Sequence, residues 1–308
     1  MGKALELSIA VLNGAVGDYL GRSGNGLATP MSVVVDGSPV PLEAAALARA
    51  FPDASGRLVV LLHGLMCTED VWDFGDGSSY GTRLAVDAGL CPVVLRYNTG
   101  LSIAENGRHL GALLERLVAA FPVPVTELVL LGYSMGGLVI RSACHQADSD
   151  SSTWLPIVSR AIYVGTPHLG APLERAARGL LALLRRIPDP VVRAVGQVAD
   201  VRSRGIQDLG DAVLHTDHEG QRTRVIPLSP RFAHYLVAGS LSTHTQLAEV
   251  FGDFMVPVPS GSDGHHGAIV TGSLPEGHVK VLYGKSHLAM AHDHDAYETI
   301  RGFCGATL

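Results

Sequence analysis

Cysteine is scarce in this 308-residue chain: Cys67, Cys91, Cys144 and Cys304 stand far apart, without C-x-x-C or C-x-x-H spacing. That excludes a dense disulfide framework and a cysteine-held zinc site, and fits a reducing cytoplasm. Charge is scarce too, at 17% of residues, with a net charge of −6 and no block of Lys and Arg. Duplex binding draws most of its affinity from clustered cations on phosphates, so no nucleic-acid partner is expected. Although 47% of residues are hydrophobic, no run approaches the roughly 20 residues needed to cross a bilayer, so no stable membrane insertion is expected. Glu6 and Asp18 interrupt the apolar start, which argues against a secretory signal. Internal repeats and low-complexity segments are lacking. The 14 histidines include His265-His266 and the pair His292 and His294, without the spacing of a recognised metal motif. Neither a metal nor a cofactor is expected.

What is present is an alternation of two periods. Short apolar runs at Leu58 to Leu62, Val93 to Tyr97, Leu128 to Leu131 and Ala161 to Val164 read as buried parallel strands. Between them Leu110, Leu113, Leu114, Leu117, Val118 and Phe121 recur at i, i+3, i+4, i+7, i+8 and i+11, one apolar face of a helix. Two further runs, Tyr235 to Ala238 and Val279 to Tyr283, extend the strands, and a last helix is predicted from about Asp293 to Phe303 with Ala296, Ile300 and Phe303 inward. Strand and helix alternating in this way predict an α/β fold, a mostly parallel open sheet with helices on both faces. Its core is expected over 58–303, with residues 1–57 an N-terminal arm and hairpin of the same domain.

Residues 173–230 break the alternation and predict a helical cap inserted before the acid-bearing strand. There Leu173, Ala176, Ala177, Leu180, Leu181, Leu184 and Ile187 oppose Arg175, Arg178, Arg185 and Arg186, until Pro188 and Pro190 end the helix. Three roles fit such a stripe: a plain packing pair, a lid over a substrate cleft, or an interfacial helix drawn to anionic lipid.

The most specific signal is Gly132-Tyr133-Ser134-Met135-Gly136-Gly137, set between the strand ending at Leu131 and a helical pattern from Leu138. It matches the G-x-S-x-G turn that exposes a nucleophilic serine on a sharp strand-to-helix bend. Glycines at 132 and 136 remove Cβ atoms that would clash there, and the Met135 N–H points where a tetrahedral oxyanion would form. A second donor is expected from Leu65, just after the strand that runs into His63-Gly64. His63 reads as a loop-bracing hydrogen-bonder, with catalytic base as the alternative. A serine hydroxyl needs an imidazole base and a carboxylate to orient it, in the chain order Ser, acid, His. Glu249, Asp253 and Asp263 follow the strand at Tyr235; Asp253, in Gly-Asp-Phe-Met-Val-Pro257, is the candidate acid because the apolar run beside it can desolvate and hold it. His287, after the strand Val279 to Tyr283 and the turn Gly284-Lys-Ser286, is the candidate base, with His292 and His294 as weaker competitors.

Together with Gly165-Thr-Pro-His-Leu-Gly-Ala-Pro172 and the Ser286-His-Leu-Ala-Met290 segment, these motifs resemble those of bacterial lipases and carboxylesterases of the α/β-hydrolase superfamily, of the triacylglycerol-lipase and GPI-inositol-deacylase-like type. The resemblance spans about residues 58–303. It implies an α/β-hydrolase fold and a cofactor-free serine hydrolase, with Ser134 as nucleophile, Asp253 as acid, His287 as base and the N–H groups of Leu65 and Met135 as oxyanion hole. It implies too that the 165–172 stretch borders the acyl cleft, with His63, Tyr133, His168 and Leu169 at the substrate and His168 as a loop brace or a second base. The implied partner is a small-molecule or lipid-like ester, and the implied activity carboxylic-ester hydrolysis through an acyl-enzyme. A thioesterase, an acyltransferase, an amidase and a non-catalytic binding module built on the same fold remain open at this point.

Overall fold

The computed structural model describes residues 2–150 (backbone only for 148–150), 152–169, 203–211, 213–217, 220–223, 226–241 and 274–305. Its strands are β1 (Ser32–Val35), β2 (Ser38–Val40), β3 (Arg57–Leu62), β4 (Cys91–Arg96), β5 (Glu127–Tyr133), β6 (Val158–Val164), β7 (His215–Thr216), β8 (Arg222–Thr223), β9 (Ala233–Ser240) and β10 (Val279–Tyr283). Eight of them form one sheet in the order β10-β9-β6-β5-β3-β4-β1-β2. Neighbours from β10 through β4 pair in parallel, while β1 is antiparallel to both β4 and β2. The predicted mostly parallel sheet is therefore what the chain forms. The β1–β2 hairpin turns on Asp36-Gly37, both at positive φ (49° and 73°), a pairing suited to a two-residue hairpin loop.

Eight α-helices are described: α1 (Lys3–Arg22), α2 (Ala44–Ala50), α3 (Tyr80–Ala88), α4 (Ile103–Ala120), α5 (Met135–Asp150), α6 (Arg204–Asp211), α7 (His287–Met290) and α8 (His294–Gly305). Period two along each strand sorts them onto two faces. Leu58, Val60, Leu62, Leu128 and Leu130 pack into the cluster of α4 and α5, whereas Val59, Leu61, Val129 and Leu131 pack into that of α3 and α8. α4 starts at a capping box: the Ser102 hydroxyl accepts the Glu105 N–H at 3.1 Å and the Glu105 carboxylate accepts the Ser102 N–H at 3.1 Å. Its buried Leu110, Leu113, Leu114 and Leu117 contribute about 2 kcal/mol each by leaving water. In α8, Ala296 and Ile300 are fully buried and Phe303 packs at the edge of the same cluster.

α1 is a 20-residue helix where an arm was expected. Its buried face holds Ser8, Val11, Asn13, Gly14, Ala15, Gly17 and Leu20, of which only Val11 and Leu20 are large and apolar, too few to read as an apolar period. Within 173–230, α6 and the β7–β8 hairpin are described, while the Arg-lined stripe at 173–187 lies outside the described residues. α6 joins the core through Ile206, packed with Val11 and Ala15, and Leu209, packed with Ile103 and Leu138. Asp208 Oδ2 accepts the Ile103 N–H at 3.1 Å and Oδ1 meets Arg222 at 2.7 Å, yet burial still pushes the Asp208 carboxyl up from its usual value. Among the described residues no helix is long and apolar enough to cross a membrane.

Candidate active site

Strands that run parallel end at one edge of the sheet, and in open α/β sheets ligands bind outside that edge. Here it collects His63-Gly64 after β3, Tyr97 to Leu101 after β4, Ser134 after β5, Gly165 to Leu169 after β6 and His287 after β10. Ser134 sits between β5 and α5 with φ +53°, in the left-handed region that an L-residue enters at a cost of roughly 1–2 kcal/mol. Hydrogen bonds hold it there: its N–H donates to the Val164 carbonyl at 2.8 Å, and its carbonyl accepts the Gly137 N–H at 3.1 Å. The bend also needs the predicted glycines. A Cβ at 132 would lie 2.6 Å from the Gly137 nitrogen, and one at 136 would lie 2.5 Å from the Leu62 carbonyl oxygen and 2.7 Å from that of His63. Since β6 takes the N–H of Ser134, the amide at the turn that can meet an oxyanion is that of Met135, the first residue of α5, where helix N–H groups have no intrahelical acceptor.

His287 brings its Nε2 to 2.9 Å from the Ser134 Oγ, with both residues buried. Three features set the ring in place. Ser286 caps α7, Tyr133 donates its hydroxyl to the His287 carbonyl at 3.0 Å, and Gly165 passes beneath the imidazole. At φ +58° Gly165 carries no Cβ where one would stand 3.1 Å from Cε1 and 3.2 Å from Nδ1 of His287. Tyr133 is 1% exposed and holds the backbone of His287.

The loop after β3 is braced from below. His63 is fully buried; its Nδ1 lies 2.9 Å from the Gly64 carbonyl and so carries the proton, leaving Nε2 to accept a long 3.4 Å bond from the Tyr97 N–H. The Tyr97 hydroxyl donates to the His63 carbonyl at 2.7 Å and the two rings stack at 4.5 Å. Burial pulls the His63 imidazole down to about 4, so the ring is neutral near pH 7. The Gly64 carbonyl also accepts the Cys67 N–H at 3.2 Å. A trans peptide points its N–H opposite its C=O, so the Leu65 N–H is turned away from those two donors.

His168 is 1% exposed, and its Nδ1 accepts from Arg141 Nη1 at 2.9 Å. Arg141 also donates to the Ile226 carbonyl. Burial, then the Arg141 charge, holds the His168 imidazole well below its ordinary value. Leu169, by contrast, is 40% exposed at the open edge. His292 and His294 are exposed; His294 stacks on Phe74 and meets Arg83 at 3.0 Å. The acid candidates Glu249, Asp253 and Asp263 lie outside the described residues. The chain leaves β9 at Ser240 beside Tyr283 of β10, and the Ser240 carbonyl accepts the Lys285 N–H at 3.0 Å, two residues before His287. Of the residues that shape this site, Tyr97 and Thr99 escaped the sequence reading. Their only signal is the Tyr97-Asn-Thr-Gly100 turn directly after a strand.

The same architecture recurs among solved proteins. Over 90% of this chain and 99% of the other, it superposes on the mature lipase of Bacillus licheniformis with a TM-score of 0.54 at 16% identity. This is the α/β-hydrolase fold. A hyperthermophilic esterase of Pyrobaculum calidifontis shares that fold over 95% of this chain and 88% of its own, with a TM-score of 0.50 and 12% identity. So does the type II thioesterase of the yersiniabactin biosynthetic pathway, over 82% and 93%, with a TM-score of 0.50 and 15% identity. No protein-family model matches the sequence, and no curated protein is detectably similar to it. At such identities the α/β-hydrolase architecture is common ground, and chemistry has to be argued from the residues.

Proposed function

We propose that this α/β-hydrolase-fold chain is a serine carboxylic-ester hydrolase that works through an acyl-enzyme. The observation that carries this reading is the buried Ser134, at φ +53° with its Oγ 2.9 Å from the Nε2 of His287. A hydroxyl held in a bent turn and bonded to an imidazole nitrogen is the arrangement that makes serine nucleophilic. The Ser134 proton passes to His287 Nε2 as Oγ attacks the ester carbonyl. The Leu65 and Met135 amides hold the oxyanion, each worth roughly 10²–10³ in rate. His287 returns the proton to the leaving alkoxide, then takes one from a water that attacks the acyl-enzyme and restores Ser134. Asp253 is assigned as the carboxylate that orients the imidazole and balances its charge. His63 and Tyr97 hold the oxyanion loop, Tyr133 holds the base, and Leu169 faces the acyl group at the rim.

Hydrolysis of p-nitrophenyl esters from two to sixteen acyl carbons, with a matched thioester and anilide, tests the reading beside Ser134→Ala. Turnover that peaks at one chain length and disappears in the variant is expected. A thioester preferred over its ester would replace the substrate class while keeping the nucleophile. Absence of labelling of Ser134 by a fluorophosphonate would remove the nucleophile itself.

A further inference from the structure

We propose that α1 is part of the oxyanion-hole scaffold: Thr99 and Gly14 clamp Met66, and Met66 sets the direction of the neighbouring Leu65 amide. The proposal rests on the reading of Leu65 given above. Met66 has φ +58°, a conformation a residue with a long side chain keeps only where its surroundings impose it. Two contacts impose it here. The Met66 N–H donates to Thr99 Oγ1 at 3.1 Å, and the side chain, 1% exposed, is pressed onto α1 among Val11, Ala15 and Ile206. The fit to the helix is close enough that a Cβ at Gly14 would stand 2.1 Å from Met66 Cγ and 3.2 Å from Thr99 Oγ1.

The clamp is anchored on its far side as well. Asn98 Nδ2 donates to the Gly17 carbonyl at 2.9 Å, close to the break in α1 at Val16, and Ser203 Oγ donates to the Gly14 carbonyl at 2.6 Å just before α6. The α1 backbone at Gly14 and Gly17 is thereby tied to the turn after β4 and to the segment leading into α6. Any change of φ at Met66 swings the residues before it relative to those after it, and the Leu65 N–H lies one residue upstream. An α1 that shifts by a few tenths of an ångström therefore re-aims an oxyanion donor without touching Ser134 or His287. Thr99 and Gly14 are positioning residues in this sense.

The test compares wild type with Thr99→Val, which keeps the shape and removes the acceptor, Thr99→Ser, which keeps the acceptor, and Gly14→Ala. Two readouts are taken: kcat and KM on a p-nitrophenyl ester, and hydrogen–deuterium exchange of the 63–67 segment. Because loss of one oxyanion donor costs roughly 10²–10³ in kcat, its misalignment is expected to cost at least about tenfold, with KM changed less than about twofold. Thr99→Val and Gly14→Ala should both show that loss together with faster exchange at 63–67, and Thr99→Ser should restore both. If exchange rises while the wild type hydrolyses none of the esters, the clamp stands and the esterase reading falls. Unchanged exchange in Thr99→Val and Gly14→Ala overturns the clamp, as does faster exchange with kcat intact.

Discussion

Lowering the pH from 7.5 to 5.0 should destabilise this protein from the inside, because its core keeps imidazoles neutral that water would protonate. Burial pulls His63 and His234 down to about 4 and His168 well below its ordinary value. A base whose folded value is depressed binds fewer protons when folded than when unfolded, so stability is intact above about 6.5 and falls as pH drops toward 4. For an unfolded value of 6.5 and a folded one of about 4, linkage gives a loss of about 2 kcal/mol per histidine between pH 7.5 and 5.0. His63 and His234 together remove about 4 kcal/mol, a large part of a typical stability of about 5–15 kcal/mol, and His168 adds to the same slope. Paired carboxylates such as Glu69, Glu105 and Glu127, held below 4.5, lose their contribution only at lower pH. His234→Gln isolates one term: its amide keeps a donor toward the Ser229 carbonyl, at 2.9 Å from Nε2 in wild type, but does not titrate. The variant loses the acceptor for the Tyr163 hydroxyl and is less stable at pH 7.5 by a constant amount. Urea unfolding at half-unit pH steps should show the gap between the two proteins closing by about 2 kcal/mol at pH 5.0. Parallel curves across that range would refute the argument that His234 is buried neutral.

Other consequences are as direct. Ser134→Ala and His287→Ala should each lower kcat by at least about 10⁴-fold, read by ester hydrolysis with folding checked by circular dichroism. Asp253→Asn should be nearly as damaging while Asp263→Ala keeps most turnover; the reverse pattern would move the acid to Asp263. Gly136→Ala, a change that gains up to about 1 kcal/mol in an ordinary helix, should instead destabilise by more than about 2 kcal/mol, because its Cβ meets two backbone oxygens within 2.7 Å. A raised Tm in calorimetry would contradict that. Tyr133→Phe should cost about 1 kcal/mol of stability and lower kcat more than it raises KM, since it frees the His287 backbone from its 3.0 Å bond.

Much of this molecule is written in local pattern. The runs at 58–62, 128–131 and 279–283 lie in strands because continuous apolar stretches bounded by turns suit a sheet covered on both faces, and α4 follows from its leucines at helical spacing. The meeting of Ser134 and His287 was legible for a related reason: a turn as tight as the one at Ser134 has few sequence solutions, and a histidine just after the last strand stands where chain order would put its partner. α1 was illegible because, beside Val11 and Leu20, what it buries is glycine, alanine, serine and asparagine, suited to close approach rather than to apolar area. Tyr97 and Thr99 escaped for the same kind of reason. Their roles are hydrogen bonds to residues 33 or 34 positions away, which no periodicity encodes.

The amino-acid sequence by itself thus determined the alternating α/β order, the bent serine turn and the two glycine-lined loops flanking it, since each depends on backbone sterics and burial within a few neighbouring residues. Only the tertiary structure decided that His287 Nε2 meets Ser134 Oγ at 2.9 Å, how deeply His63 and His168 are buried and what each bonds, and that an N-terminal helix presses on the loop after β3. Those facts arise where strands distant in sequence end at one edge of the sheet, and an ångström there depends on the packing of the whole fold.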